Sequence, residues 1–546
     1  MFLYQPARQL FCRAGFLILS LGVLLLWSSG CARREPSADL TIINNAEPES
    51  LDPAVIVAQA DMRIVSGIFE GLTRLEPVAA HAVPGLAESW EISPDGKIYT
   101  FHLRTNLVWS TGEPITSADV VYSWIRALDP KTACRYAGQL YYLKNAEEFN
   151  TGQITNAALV GVSAPDPYTV RAELKSPTAF FLDLCAFQTL AVVPRQTMEK
   201  YGDRWLLAKP LPVSGAYEVE AWRLNDKVRL RKNPLYWDAT NTQSEIIDLL
   251  PVGSPNTALN LYERGQVDIV WDKELIPSEL VDVLLKRPDF HSFNYLGTYF
   301  FRFNVTKKPF DDPRVRRALA LAVDKDRIVK KITKAGEPTT SHLVPTGTQN
   351  YHPPDGLGYD PERARKLLAE AGYPGGKGFP HFEYLFNAAG GGGGKIHESI
   401  AIELQQMWHD ELGIQMDLRQ VETQVFWGMQ TRLDYTLSKS SWIGDYNDAN
   451  TFLGMFVTGD GNNETGWGNA RYDELIHAAN EETDLLKREK LFQQAETILV
   501  RDEVPFVPLY IYVGINYFDT NKVAGIWENV LDDHPLRSIR RIKAKP

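Results

Sequence analysis

Four stretches of the chain place reactive residue types close together. Gly390 to Gly394 followed by Lys395 resembles a phosphate-cradling loop, in which backbone N–H groups and a lysine hold the anion. That pattern needs glycine where Ala389 stands and a metal-binding hydroxyl where Ile396 stands, so a plain surface loop is the reading. Asp460, Asn462 and Glu464 alternate as calcium ligands do, but Thr465 occupies the position where such a loop turns on glycine. Gly161, Ser163 and Pro165 lack the last glycine of a nucleophile elbow. His397 and Glu398 lack the second histidine of a metalloprotease helix, since position 401 is alanine. Local spacing therefore marks no catalyst, metal site or cofactor, although triads built from distant segments escape such a test.

The elements that would carry a site point to binding. The 546 residues are 44% hydrophobic and 11% aromatic, a globular composition long enough for two or three domains with a cleft between them. The net charge is −11, and losing residues 1 to 30, which hold Arg8, Arg13 and no acid, would leave −13. Such a surface repels phosphate backbones, which argues against nucleic acid. Of four cysteines, only Cys134 and Cys185 lie in the body, too few for a disulfide framework or a cysteine-built zinc site.

Residues 1 to 30 read as an export signal: two arginines, then an apolar core of twelve residues from Phe16 to Trp27, too short for a spanning helix of about 20 residues. Ser28, Ser29 and Gly30 precede Cys31, and this run resembles the lipobox of bacterial lipoproteins, with Ser28 where leucine is usual. The resemblance implies lipidation at Cys31, a tether from 31 to 38, and attachment to a membrane through acyl chains alone.

Along the body, Asp39 to Asn45 and Lys97 to Arg104 alternate as half-buried strands. Gly215 to Arg223 and Val228 to Lys232 predict a hairpin turning at Asn225 and Asp226. Asp312 with Pro313, and Asp360 with Pro361, read as helix starts, the second helix ending at Gly372. From His381 to Gln420 the pattern is strand, helix, strand. Ile400, Leu404, Met407, Trp408 and Glu411 share one helix face, which predicts a right-handed crossover and an α/β second half.

Several runs resemble the oligopeptide-binding proteins of bacterial ABC importers, the peptide and nickel class of solute-binding proteins (family 5). They are Glu49 to Pro53, Leu86 to Trp90, Ser117 to Pro130, Leu296 to Thr298, Asp311 to Ala322, Trp442 to Leu453 and Gly461 to Trp467, in the family's order across the mature chain. The resemblance implies a two-lobed fold of the type II periplasmic-binding-protein kind. One lobe would combine 32–69, 194–295 and 513–546, with an inserted domain at 70–193; the other would be 296–512. It also implies an exported monomer, in the periplasm or at the cell surface, that binds a short peptide and delivers it to an ABC permease without catalysis.

Family members hold the peptide as an added strand, which here implies contacts from Ser441 to Ile443 and around Val57 to Gln59. The ligand's α-ammonium is assigned to Asp445. Lys439 stands where the family often has arginine, keeping the charge but losing the bidentate fork. Arg432 is a second cation to consider, and Tyr136 and Trp442 match aromatics that line the cleft. Cys134 and Cys185 fall in one domain, which leaves a bridge and two free thiols both open. A related receptor for a nickel chelate, haem or cell-wall peptide is the neighbouring reading; a hydrolase or a signalling lipoprotein on the same fold is the distant one.

Overall fold

The computed structural model describes residues 35–272, 275–387 and 393–542. The export signal, Cys31 and most of the Gly390 to Gly394 run lie outside the described residues. The chain divides into Met1–Ala38 and a large unit, Asp39–Pro546, which carries all the elements below. Among the described residues no helix is long and apolar enough to cross a membrane.

The first half of the chain is built mainly of strands. Strand β1 (Leu40–Ile43) leads to helix α1 (Gln59–Ile68). Strands β2 (Ala87–Ile92) and β3 (Ile98–Leu103), helix α2 (Ser117–Leu128), and strands β4 (Val162–Asp166) and β5 (Thr169–Glu173) follow. Next come β6 (Tyr217–Arg223), β7 (Lys227–Lys232), β8 (Ile246–Leu250) and β9 (Ile269–Trp271). Asn225 turns the β6–β7 hairpin with φ of 58°.

The second half alternates strands and helices. It holds β10 (Phe290–Phe303), α3 (Pro313–Leu321), α4 (Pro361–Glu370), β11 (Phe382–Asn387), α5 (Gly393–Leu412), β12 (Met416–Val421), α6 (Thr423–Thr431), β13 (Leu437–Ile443) and β14 (Phe506–Phe518). Asp312 accepts a hydrogen bond from the Arg314 N–H at 2.8 Å and Asp360 one from the Arg363 N–H at 3.0 Å, so both expected caps are in place. β11 and β12 are parallel and joined through α5, whose Ile400, Leu404, Met407 and Trp408 are buried. Glu411 ends that stripe at the surface, where it receives Arg365 and the Tyr359 hydroxyl.

These strands form a ten-stranded sheet in the order β12-β11-β13-β10-β14-β9-β1-β8-β7-β6, and β2-β3-β5-β4 form a separate four-stranded sheet. β10 and β14, of 14 and 13 residues, run antiparallel and belong to both halves of the large sheet. Their ladder shifts register between Asn294 and Thr298. One apolar core joins the four-stranded sheet to β1 and β6–β9; a second packs α3, α4 and α5 against β10–β14; a third covers the opposite face around Phe300, Phe452 and Phe492.

Asp52, in the Glu49 to Pro53 run, receives Arg126 of α2 through two bonds of 3.0 and 2.5 Å, the indole N–H of Trp205 at 3.3 Å and the Ala54 N–H at 3.0 Å. The carboxylate is buried, so removing it strands a guanidinium and an indole donor. Asp52→Ala is expected to lower unfolding free energy by about 3 kcal/mol, read as a lower urea midpoint. A midpoint within experimental scatter of the parent would disprove the pairing's importance.

Candidate functional site

A cleft of about 200 Å³, open to solvent, lies between α1, the segment after β13 and the segments around Asp183 to Gln188 and Leu531 to Asp533. Gln59 and Arg63 of α1, Phe187 and Gln188, Tyr295, Gly444 to Asn447 and Leu531 to Asp533 line it. Its walls thus come from segments hundreds of residues apart in sequence.

The segment that carries Asp445 follows β13, whose edges differ. β10 pairs with β13 along its whole length, from Phe303 opposite Leu437 to Gly297 opposite Ile443. β11 pairs with it only at Leu437 and Ser438. From Lys439 to Ile443 no strand among the described residues lies along the second edge, and the side chain of Gln430 takes up the Lys439 carbonyl at 2.9 Å. An extended ligand can add there as a strand. Gly297 and Gly444 allow the close approach at this end: a Cβ on Gly297 would stand 2.9 Å from the Tyr512 ring, and one on Gly444 2.7 Å from Leu296.

Asp445 itself is held from behind. The Gly444 N–H donates to the Leu296 carbonyl at 2.7 Å, and the Asp445 N–H donates to Thr451 Oγ1 at 3.1 Å. Asp448, three residues on, accepts both arms of Arg488 at 2.6 and 2.8 Å in a buried pair. The Asp445 carboxyl is half-buried and pushed up to about 6, mainly by burial, against a hydrogen bond from Gln139. Among the described residues no cation forms an ion pair with it. Asp183, also on the cleft wall, is pushed up to about 7 by burial while accepting the Ala82 N–H at 2.8 Å.

Of the residues expected from sequence, Asp445 and Gln59 line the cleft. Gln59 opens α1, so it meets the cleft by its side chain, which donates to the Tyr295 hydroxyl at 3.2 Å; extended backbone stops at Ala58, just after the half-buried Val57. Tyr136 stands edge-on to Phe187, centroids 5.3 Å apart, and its hydroxyl is pushed up by burial and by Asp445. Ser441, Trp442 and Ile443 occupy the open-edged end of β13; Trp442 is half-buried against the third core and Ile443 is exposed.

Two expected cations lie away from the cleft wall. Lys439 shares the face of β13 with buried Leu437, and its Nζ sits 5.7 Å over the Tyr299 ring, because alternation turns that face to the second core. Arg432 is exposed at the C-terminal end of α6. Cys134 and Cys185 are both free thiols. Asp183, Tyr295 and Arg63 escaped the sequence reading, since nothing local marks them; Gln139 had one signal, its place three residues after Tyr136 on the same short turn.

The comparisons agree with this geometry. The model for bacterial extracellular solute-binding proteins, family 5, matches residues 81–464. The chain is 34% identical over 481 residues to the periplasmic oligopeptide-binding protein OppA of Salmonella typhimurium, covering 86% of each. It is also 34% identical over 480 residues to the probable deoxycholate-binding periplasmic protein YgiS of Escherichia coli, again covering 86% of each. The solved structure of Haemophilus influenzae OppA in complex with the peptide RPPGFSPFR matches 92% of this chain and 99% of its own, with 31% identity and a TM-score of 0.72. With its two-lobed α/β fold and a cleft walled by both halves, the chain belongs to family 5 of the bacterial extracellular solute-binding proteins.

Proposed function

We propose that this protein is a periplasmic or cell-surface receptor that closes on a short peptide and passes it to the permease of an ABC importer, with no chemistry of its own. Asp445 carries the reading: a carboxylate drawn out of water into a cleft, without a cation beside it, suits a ligand that brings an ammonium. The open edge of β13 beside it suits a peptide main chain. Ser441 to Ile443 would bind that backbone with Val57 opposite; Gln59, Tyr136 and Trp442 would flank it. Lys439 would act only at a distance, through the field it sets beneath β13, and Arg432 not at all.

The lobes in this reading are 32–69 with 194–295 and 513–546, carrying the inserted domain 70–193, against 296–512. They close as a hinge about β10 and β14, where the ladder shifts between Asn294 and Thr298. The protein works as a monomer, anchored through lipid at Cys31 and the tether 31–38.

A second reading has one observation behind it, the relative named for deoxycholate. A steroid acid would bring its carboxylate towards Asp445, a like-charge approach that disfavours it. Calorimetry separates the two. A free-amine tripeptide is expected to bind roughly thirtyfold more tightly than its N-acetylated form, about 2 kcal/mol for one charge-assisted hydrogen bond. Equal affinities would remove Asp445 from the site, and tight binding of deoxycholate alone would replace the peptide reading.

The pH profile follows from burial. Below about 6 the empty cleft holds Asp445 protonated, and that proton must leave before an ammonium can pair with the carboxylate. Affinity should be full above pH 7 and fall about tenfold for each unit below 6. Asp445→Asn should flatten this profile; a sloping one in the variant would assign the titration to another group. Cys31→Ser should move the protein from the membrane fraction to the soluble fraction of cells, and continued membrane retention would refute the lipid anchor.

A further inference from the structure

Three arginines line the cleft, Arg63, Arg74 and Arg537, and they are not equally engaged. Arg74 is spent: its Nη1 meets Asp238 at 2.7 Å and its guanidinium lies over the Trp237 ring, 4.7 Å from the centroid. The wall acids near it are held as well. Glu70 accepts from the Tyr236 hydroxyl and the Trp237 indole N–H, both at 2.6 Å, and Asp532 is met by Asn516 Nδ2 and His534 Nε2, both at 2.9 Å. Asp533 feels Arg63, Arg537 and His534, yet burial raises it above the ordinary aspartate range and so disfavours its charge.

Arg63 keeps its charge to itself. Its Nη1 reaches Asn44 Oδ1 and its Nη2 reaches Gln59 Oε1, each at 3.4 Å, and its Cζ stands 5.7 Å from the centroid of the Trp271 ring. Arg537 leans on the Leu75 carbonyl at 3.5 Å. Among the described residues neither arginine forms an ion pair, and both add to one positive field. Arg63 is the one tied to the segment that positions Asp445. It lies one helical turn after Gln59 on α1, and Gln59 donates to the hydroxyl of Tyr295. The next residue, Leu296, gives its carbonyl to the Gly444 N–H directly before Asp445. A cleft of about 200 Å³ thus has an unpaired carboxyl and an unpaired guanidinium on its wall, both held from neighbouring residues of β10.

We propose that Arg63 is a carboxylate subsite of this cleft, so that the ligand is read for an acidic group as well as for its ammonium. The planar fork of a guanidinium accepts a carboxylate through two parallel N–H bonds, and the long contacts to Asn44 and Gln59 yield to it at small loss. A peptide offers that group at its C-terminus or on an acidic side chain. The inference rests on the peptide reading only for which molecule bears the carboxylate.

Calorimetry with trialanine, trialanine amide, alanyl-glutamyl-alanine amide and deoxycholate tests the subsite, with circular dichroism to confirm folding. In the parent, trialanine should bind roughly tenfold more tightly than its amide. Arg63→Met should close that gap while leaving the preference for a free amine over an acetylated one. Arg63→Lys keeps the charge without the fork and should retain part of the gap, which decides the matter even if Arg63→Met does not fold. If the glutamyl amide equals trialanine, Arg63 reads an acidic side chain; if it binds as weakly as trialanine amide, Arg63 reads the C-terminus. An unchanged gap in Arg63→Met, or no gain from either carboxylate in the parent, would overturn the subsite. Deoxycholate binding that Arg63→Met weakens, in a protein that binds no peptide, would support the subsite and sink the peptide reading instead.

Discussion

β10 and β14 belong to both halves of the ten-stranded sheet, and the strand that leads to Asp445 pairs with β10 along its whole length. Phe290 to Asn294 pair with residues 513–517 in one half, and Thr298 to Arg302 pair with residues 506–511 in the other. Between them the ladder shifts, and Leu296 turns its N–H to the Val530 carbonyl instead. A gap in a ladder removes the cross-strand bonds that would stiffen it, while the paired stretches on either side stay rigid. Gly297 sits in this gap against Tyr512 and Ile443 at distances that leave no room for a side chain. The joint is therefore narrow as well as soft, and the end of β13 lies directly against it.

Placing a carboxylate at that joint has a cost, which the surroundings do not remove. Burial raises Asp445 well above an ordinary aspartate, and the compensating contact among the described residues is an uncharged amide, Gln139. A structural aspartate looks different in this protein: Asp448 has both arms of Arg488, and Asp52 has Arg126, Trp205 and a backbone N–H. Asp448 and Asp52 thus have the charged partners that Asp445 lacks among the described residues. That lack also explains why the loop behind Asp445 is tied so firmly, since an unpaired charge on a mobile segment would swing out to water rather than wait in the cleft.

Much of the scaffold was legible because its signals are local. Asp312 with Pro313 and Asp360 with Pro361 cap their helices by chemistry confined to three residues, and the 3.6-residue period of Ile400, Leu404 and Trp408 needs nothing beyond the helix itself. At Glu411 that largely apolar face leaves the core and ends in an ion pair with Arg365. In the cleft, Asp445 could be found because it stands within a long run shared with a family. Asp183 and Tyr295 could not, because their place on the wall arises from the packing of distant segments. Lys439 shows a limit of matching by position: it stands where the family often has arginine, while strand alternation turns its side chain to the face that bears Leu437.

The residues that make the family recognisable serve mainly the scaffold. Arg316 is spent on the carbonyls of Phe310, Glu503 and Val504, Asn463 donates to the carbonyls of Phe456, Val457 and Trp467, and Glu464 accepts from Arg302. None of these side chains lines the cleft. A buried group that satisfies several carbonyls admits few substitutions, since each loss leaves backbone acceptors without partners. Shared runs of this kind therefore identify the fold with high specificity and the ligand with low specificity. The chemistry of what is bound must be argued from the wall carboxyls that burial raises and no ion pair among the described residues offsets, among them Asp445 and Asp183.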